Sequence, residues 1–235
     1  MNDKKGGPVF MGILPRVALL VLYIIVCALH LFACARPNHG KLRAATKCCL
    51  MPLLALCYAV NAHPLSRLVL IAILCGFVGD VALLGDYNSR RFIGGICAFA
   101  AGHLCYAVHM LRWLAAAPAW WWIIPPIVLV YAAGIALGIR QFKRFLPHRL
   151  VVPCLVYMIV IGFMSFSALL ALINWGDPFK VLFAALPFIG SLVFIVSDST
   201  LTVKTFSERP LRYGAPAVMG TYILAQTLIV IGLLF

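Results

Sequence analysis

RLVLIAILCGFVGDVALLGD, residues 67–86, decides the fold. Between Arg67 and Asp86 it holds one charged residue, Asp80; all else is aliphatic, aromatic, Cys or Gly. An apolar run of about 20 residues has the length that crosses the hydrocarbon core of a bilayer. Similar runs cover 13–34, 46–62, 92–114, 119–139, 150–173, 180–203 and 214–235. Of the 235 residues 64% are hydrophobic and 11% charged, against about 25% charged in soluble domains. A soluble globule of this size has no interior large enough for so much apolar side chain, and disorder needs the opposite composition. Eight spans use about 160 residues and leave no room for a soluble domain. The expectation is a single all-α integral membrane domain over 1–235, with eight transmembrane helices.

Polar or breaker-rich links separate the spans: ARPNHGKLR, NAHPLSR, GDYNSRR, the AAAPAW region, RQFKRFLPHR, NWGDPFK and KTFSERPLRYG. Net charge is +13. In a soluble protein that would suggest nucleic acid; here the cations sit in short loops, where they set orientation and meet anionic headgroups, so the partners expected are the bilayer and its lipids. Arg36, Lys41, Arg43, Lys47, Arg90, Arg91, Arg140, Lys143, Arg144, Arg149, Lys204, Arg209 and Arg212 fall in alternate links, thirteen of the 19 Lys and Arg. Lys4, Lys5, Arg16, Arg67, Arg112 and Lys180 make up the other six. This bias places those links in the cytoplasm and both termini outside or lumenal, in a bacterial inner membrane or the endoplasmic reticulum. The first apolar run is long enough to span, so it reads as an uncleaved helix rather than a signal peptide. The nine Cys lie in or beside apolar runs without a CxxC, which argues against a disulfide framework or a thiolate metal site.

The six acidic residues are Asp3, Asp80, Asp86, Asp177, Asp198 and Glu208. Only Asp80 and Asp198 lie inside spans, in FVGDVALL and FIVSDSTL. An intramembrane carboxylate costs about 2.5–3.5 kcal/mol even on insertion scales, so it faces the bundle interior. Each is six residues from its span end, Asp86 and Lys204 respectively, which puts both roughly 9 Å inside the same face. Two such acids sharing a cavity divide into a protonated carboxyl and a carboxylate, a general acid and a general base. The alternative is structural, an Asp paired with Lys or Arg or bonded between helices.

Phe92, Gly95, Phe99, His103 and Tyr106 recur at helical spacing and form one stripe. It is either a packing seam or one wall of a site. Tyr222 and Gln226 share a face one turn apart, as interhelical glue or ligand contacts. Lys47 opens its span at the same face as the acids, either snorkelling or meeting a headgroup or an Asp. His103 and His109 point to different helix faces, and no HExxH, GxSxG or Walker loop occurs.

Taken together, these residues resemble the lysoplasmalogenase, YhhN-like family of eight-helix membrane proteins. Four blocks carry the likeness: Gly79, Asp80 and Leu83; Phe92, Gly95, Phe99, His103 and Tyr106; Gly190, Phe194, Ser197 and Asp198; Tyr222, Gln226, Leu228 and Ile229. The chain departs from the family where Lys47 stands five residues before Pro52 and where Thr221-Tyr222 replaces paired aromatics. The resemblance implies hydrolysis of the vinyl ether bond of lysoplasmalogen, releasing a fatty aldehyde and glycerophosphocholine or glycerophosphoethanolamine. Such a bond breaks by protonation of its β-carbon, water addition to the oxocarbenium ion and collapse of the hemiacetal. Two carboxyls suffice for this, as in glycosidases, with no metal or other cofactor. Asp80 and Asp198 are then the catalytic pair, and Lys47, Gly79, His103, Tyr106, Ser197, Tyr222 and Gln226 the supporting set, with the phosphate near Lys47, Lys204 or Arg91. Two rivals remain. A proton- or cation-coupled transporter also uses intramembrane carboxylates, but no internal repeat is detectable. An intramembrane aspartyl protease would need Gly where Phe77 stands and Tyr where Ser197 precedes Asp198.

Overall fold

The computed structural model describes residues 7–36, 38–85, 87–114, 121–174, 181–208 and 214–234, with side chains from residue 13. Lys4, Lys5, Asp86, Lys180, Arg209 and Arg212, which enter the span and charge arguments, lie outside the described residues. Eight α-helices follow one another: α1 (Gly7–Ala35), α2 (Gly40–Asn61), α3 (Arg67–Ala82), α4 (Ser89–Leu111), α5 (Ile124–Phe142), α6 (His148–Ile173), α7 (Val181–Phe206) and α8 (Gly214–Gly232). Seven of them are long and apolar enough to cross a membrane. Large hydrophobics such as Leu14, Leu129, Val130 and Val196 point outward, the exterior of a multi-pass membrane protein whose solvent is lipid.

Of the eight spans expected from the sequence, the one at 67–86, α3, is not among these seven. The helix has 16 residues, not the 20 of 67–86, and covers only about 24 Å. It ends at Ala82, where the Leu83 and Leu84 amides fold back onto the Gly79 and Val81 carbonyls; beyond them Gly85, with a φ of +82°, takes the left-handed conformation that favours glycine. Asp80 therefore sits two residues from its helix end and Asp198 eight from Phe206. Other bounds move as well. α2 begins at Gly40 rather than 46, absorbing the cationic end of the first link. α5 begins at Ile124 after a 3-10 turn, with Pro in its first turn, where the missing N–H is harmless.

Packing runs around a ring: α1 on α2, α2 on α3, α3 on α4, α4 on α6, α6 on α7, α7 on α8, and α8 back on α1. Tyr23 of α1 closes it with a 2.7 Å hydrogen bond to Thr227 of α8. α5 stands outside the ring against α6 and buries none of its residues. The core lies inside the ring, around Leu50, Met51, Tyr58, Ile73, Tyr106, Phe194 and Ile229.

Candidate active site

Asp80, in the last turn of α3, is almost wholly buried. Its Oδ1 lies 3.4 Å from the Lys47 ammonium of α2. Its Oδ2 accepts a 2.7 Å hydrogen bond from the Tyr222 hydroxyl of α8. Three helices thus meet on one carboxyl, and of the readings open to Lys47 the structure shows contact with an Asp rather than snorkelling. Gly79 is required by helix packing: a Cβ there would stand 2.6 Å from the Phe99 ring of α4. The approach it permits is that of a helix.

Asp198, partly buried on α7, accepts a hydrogen bond from the Tyr157 hydroxyl of α6. Tyr157 in turn lies 3.1 Å from His103 Nε2 of α4. The preceding residue, Ser197, donates to the Val218 carbonyl of α8 at 3.0 Å, tying α7 to α8 beside the acid. Phe99, Phe194 and Tyr222 pack edge-to-face with centroids 5.5–6.3 Å apart, and His103 adds its ring to Phe194 at 4.6 Å.

Both acids line one cavity of about 220 Å³, together with Arg43, Lys47, Arg91, Lys204, Ser197 and Tyr222. Four cations face two carboxylates, an environment suited to an anion. A second chamber of about 500 Å³ opens between α4, α5, α6 and α7, lined by Ile96, Ile127, Tyr131, Ile135, Met158, Leu192 and other apolar groups. Asp198 lines both, as do Leu83, Phe92, Phe99 and Leu201; Asp80 lines only the polar one.

His103 lines neither cavity; it stands one layer behind, joined to Asp198 through Tyr157. Tyr106 and Gln226 are also behind the wall. They are fully buried and bond each other at 3.1 Å, α4 to α8, which is the interhelical role open to Gln226. Among the described residues no three His, Cys, Asp or Glu side chains gather as metal ligands.

Residues 42–233 match the YhhN family. The chain belongs to the YhhN family. Among curated relatives it is similar to a lysoplasmalogenase of Mycobacterium bovis, 26% identical over 218 residues, covering 91% of this chain and 79% of the relative. It is 27% identical to human lysoplasmalogenase TMEM86A over 178 residues, 72% of this chain and 65% of that one. It is 28% identical to lysoplasmalogenase TMEM86B of Sus scrofa over 166 residues, 67% and 59% of the two chains. No solved structure matches it.

Every residue of the two carboxyl networks, from Lys47 to Gln226, falls inside the YhhN match. His30 and Cys34 of α1 fall outside it yet line the polar cavity; His30 Nδ1 is 2.8 Å from the Thr46 hydroxyl. Sequence reasoning missed His30, Tyr157 and Tyr131 of this YhhN protein. Tyr157 had a signal: Leu150, Cys154, Tyr157 and Ile161 follow helical spacing, so its hydroxyl rides on a core-facing stripe. Nothing in the sequence pointed to Asp198 as its partner, because the two lie on different helices.

Proposed function

We propose that this protein is a lysoplasmalogenase, which hydrolyses the vinyl ether bond of a 1-alkenyl lysophospholipid to a fatty aldehyde and a glycerophosphodiester. The observation that carries the reading is the meeting of the two cavities at Asp198. A lysophospholipid is an anionic headgroup joined to one hydrocarbon chain. The cationic cavity suits the phosphate, with Arg43, Lys47, Arg91 and Lys204 on its walls, and the apolar chamber suits the chain. The ether bond then lies at the junction, where the carboxyls are. Names of relatives from mycobacteria to mammals support the same activity.

Asp80 and Asp198 form the acid and base of the reaction. Lys47 and Tyr222 hold Asp80; Ser197 and Gly79 keep the helices at their spacing; His103, Tyr106 and Gln226 support the site from behind. Residues 1–235 act as one integral membrane domain, with the short α3 as an eighth crossing. By the bias of Lys and Arg, the polar cavity opens to the cytoplasm and the termini lie outside; a C-terminal reporter active only in the cytoplasm would reverse this orientation.

The deciding experiment is aldehyde release by purified protein in detergent. A 1-alkenyl lysophospholipid is expected to yield aldehyde, while its 1-alkyl counterpart yields none because it lacks the double bond that takes the proton. Transport needs two compartments and releases nothing in detergent. Absence of aldehyde from the alkenyl lipid would overturn the activity.

A further inference from the structure

We infer that Asp198 is the general acid of the pair, and that Tyr157, backed by His103, is the positioning residue that fixes which of its oxygens faces the site. The inference rests on the vinyl ether reading above.

Place comes first. The carbon that takes the proton is on the chain side of the ether, and the carbon that takes water is next to the oxygen. With the headgroup in the cationic cavity, the first of these lies nearer the apolar chamber. Asp198 faces that chamber and Asp80 does not.

Charge agrees with place. Asp80 has a cation at 3.4 Å and an O–H donor at 2.7 Å, both of which favour a carboxylate. Asp198 has no ion pair among the described residues; the Tyr157 hydroxyl donates to it as Tyr222 does to Asp80, so what separates the two acids is the cation at Asp80. Tyr157 and Asp80 act on it directly, and Tyr222, Arg43, Lys47, Arg91 and Lys204 line the same cavity.

The direction of the hydrogen bonds follows from one unpartnered atom. His103 Nδ1 is buried and has no hydrogen-bond partner. A tyrosine hydroxyl carries one hydrogen. If Tyr157 gave it to His103, the imidazole proton would sit on Nδ1 as a buried, unpaired N–H, the costlier orphan. The arrangement without that cost is a neutral His103 protonated on Nε2, donating to Tyr157, which donates to Asp198 Oδ2. Asp198 Oδ1 is then the oxygen left to carry a proton into the site.

The reaction balances. The alkene π pair takes the proton from Asp198 Oδ1 at the β-carbon, forming a C–H bond and leaving an Asp198 carboxylate beside the oxocarbenium ion. Water bonds the α-carbon and gives a proton to Asp80. As the hemiacetal collapses, its hydroxyl returns a proton to Asp198, the C–O bond to glycerol breaks, and Asp80 protonates the departing oxygen. Both carboxyls end as they began.

Two measurements on the protein without substrate decide the assignment. Nitrogen-15 NMR at neutral pH is expected to find His103, assigned through its loss in His103→Gln, neutral with the proton on Nε2. A proton on Nδ1, or a cation, would overturn the chain of bonds. Infrared spectroscopy is expected to show a protonated carboxyl band that vanishes in Asp198→Asn, persists in Asp80→Asn and shifts in Tyr157→Phe. A band that vanishes in Asp80→Asn instead would reverse the roles. With the alkenyl lipid, Tyr157→Phe is expected to lower kcat about 10- to 100-fold with KM little changed. Added formate is expected to restore Asp80→Gly, by replacing the base, and not Asp198→Gly. A wild-type protein without aldehyde release would defeat the functional reading, while the NMR and infrared results still judge the acid assignment.

Discussion

Where α7 meets α8, a Cβ on Gly190 would stand 2.9 Å from the Ala225 carbonyl oxygen and 3.0 Å from the Ile229 amide nitrogen. Where α5 meets the chamber, Gly134 has nothing within 4 Å. Both glycines lie in apolar helices of crossing length, yet one seam is backbone on backbone and the other is open. Contact between backbones cannot relax by a change of rotamer, so the α7–α8 seam sets Asp198, Ser197 and Tyr222 in a fixed relation. α5 meets the bundle through softer atoms: a Cβ on Gly138 would press on the flexible end of Met158 and on no neighbouring backbone among its nearest atoms. One polar chain fastens it, from Tyr131 to Ser165 at 2.8 Å and on to Ser191 at 2.8 Å. Asp198 stands at the rigid seam and one wall of the apolar chamber stands on α5 outside the ring, so under the proposed function chemistry and chain preference are expected to be separable by mutation.

The largest effect is expected at the carboxyls of the rigid side. Asp80→Asn and Asp198→Asn each keep the shape and are expected to lower kcat by about 10²–10⁴-fold. The double variant is expected to lose far less than the product, because the pair acts as a unit. Well-folded single variants with near-native aldehyde release would separate the carboxyls from the chemistry.

Gly190→Val tests whether the seam is as unyielding as its backbone contacts require. It is expected to lower the melting temperature in detergent by several degrees, a loss of about 1–3 kcal/mol from overpacking. Aldehyde release should fall with it. Normal stability would mean that α7 and α8 can move apart, and that the comparison is wrong on its rigid side.

On the open side, Gly134→Leu adds a side chain into free space and removes a helix-weakening glycine, so stability is expected to hold or rise. The chamber shortens, and kcat/KM for long alkenyl chains is expected to fall by roughly tenfold relative to short ones. Equal loss for all chain lengths would place the chain elsewhere.

Tyr131→Phe is the smallest change. It removes the hydroxyl that fastens α5 and is expected to cost about 0.6 kcal/mol, the mean for interhelical hydrogen bonds in a membrane, with aldehyde release within about threefold by the same figure. A loss of several kcal/mol, read by thermal unfolding in detergent, would show that α5 is an integral part of the ring.

Much of this was legible in the sequence because the bilayer is an unforgiving solvent. Lone acids in apolar runs have few places to be, so Asp80 and Asp198 stood out, and the structure brings both to one cavity. Lys47 was readable as a cation at the same face, but its pairing with Asp80 depends on how α2 lies against α3. Counting residues to the span end misjudged where the helix stops, since α3 ends at Ala82 with its Leu83 and Leu84 amides folded back. The stripe through His103 and Tyr106 marked one face correctly, yet two helices divide it. His103 reaches Tyr157 of α6, and Tyr106 reaches Gln226 of α8.

Composition and periodicity by themselves determined a helical membrane protein, because backbone polar groups in lipid must be satisfied within each segment and apolar length sets the spans. They also singled out the two acids, whose cost in lipid calls for an interior position. Only the tertiary structure decided that seven helices close a ring, that α5 stands outside it, and that Asp198 but not Asp80 faces the apolar chamber. Those facts arise from contacts between helices, where a glycine with no Cβ to meet a neighbouring carbonyl or one hydroxyl donating between helices selects among arrangements that the apolar pattern leaves equal.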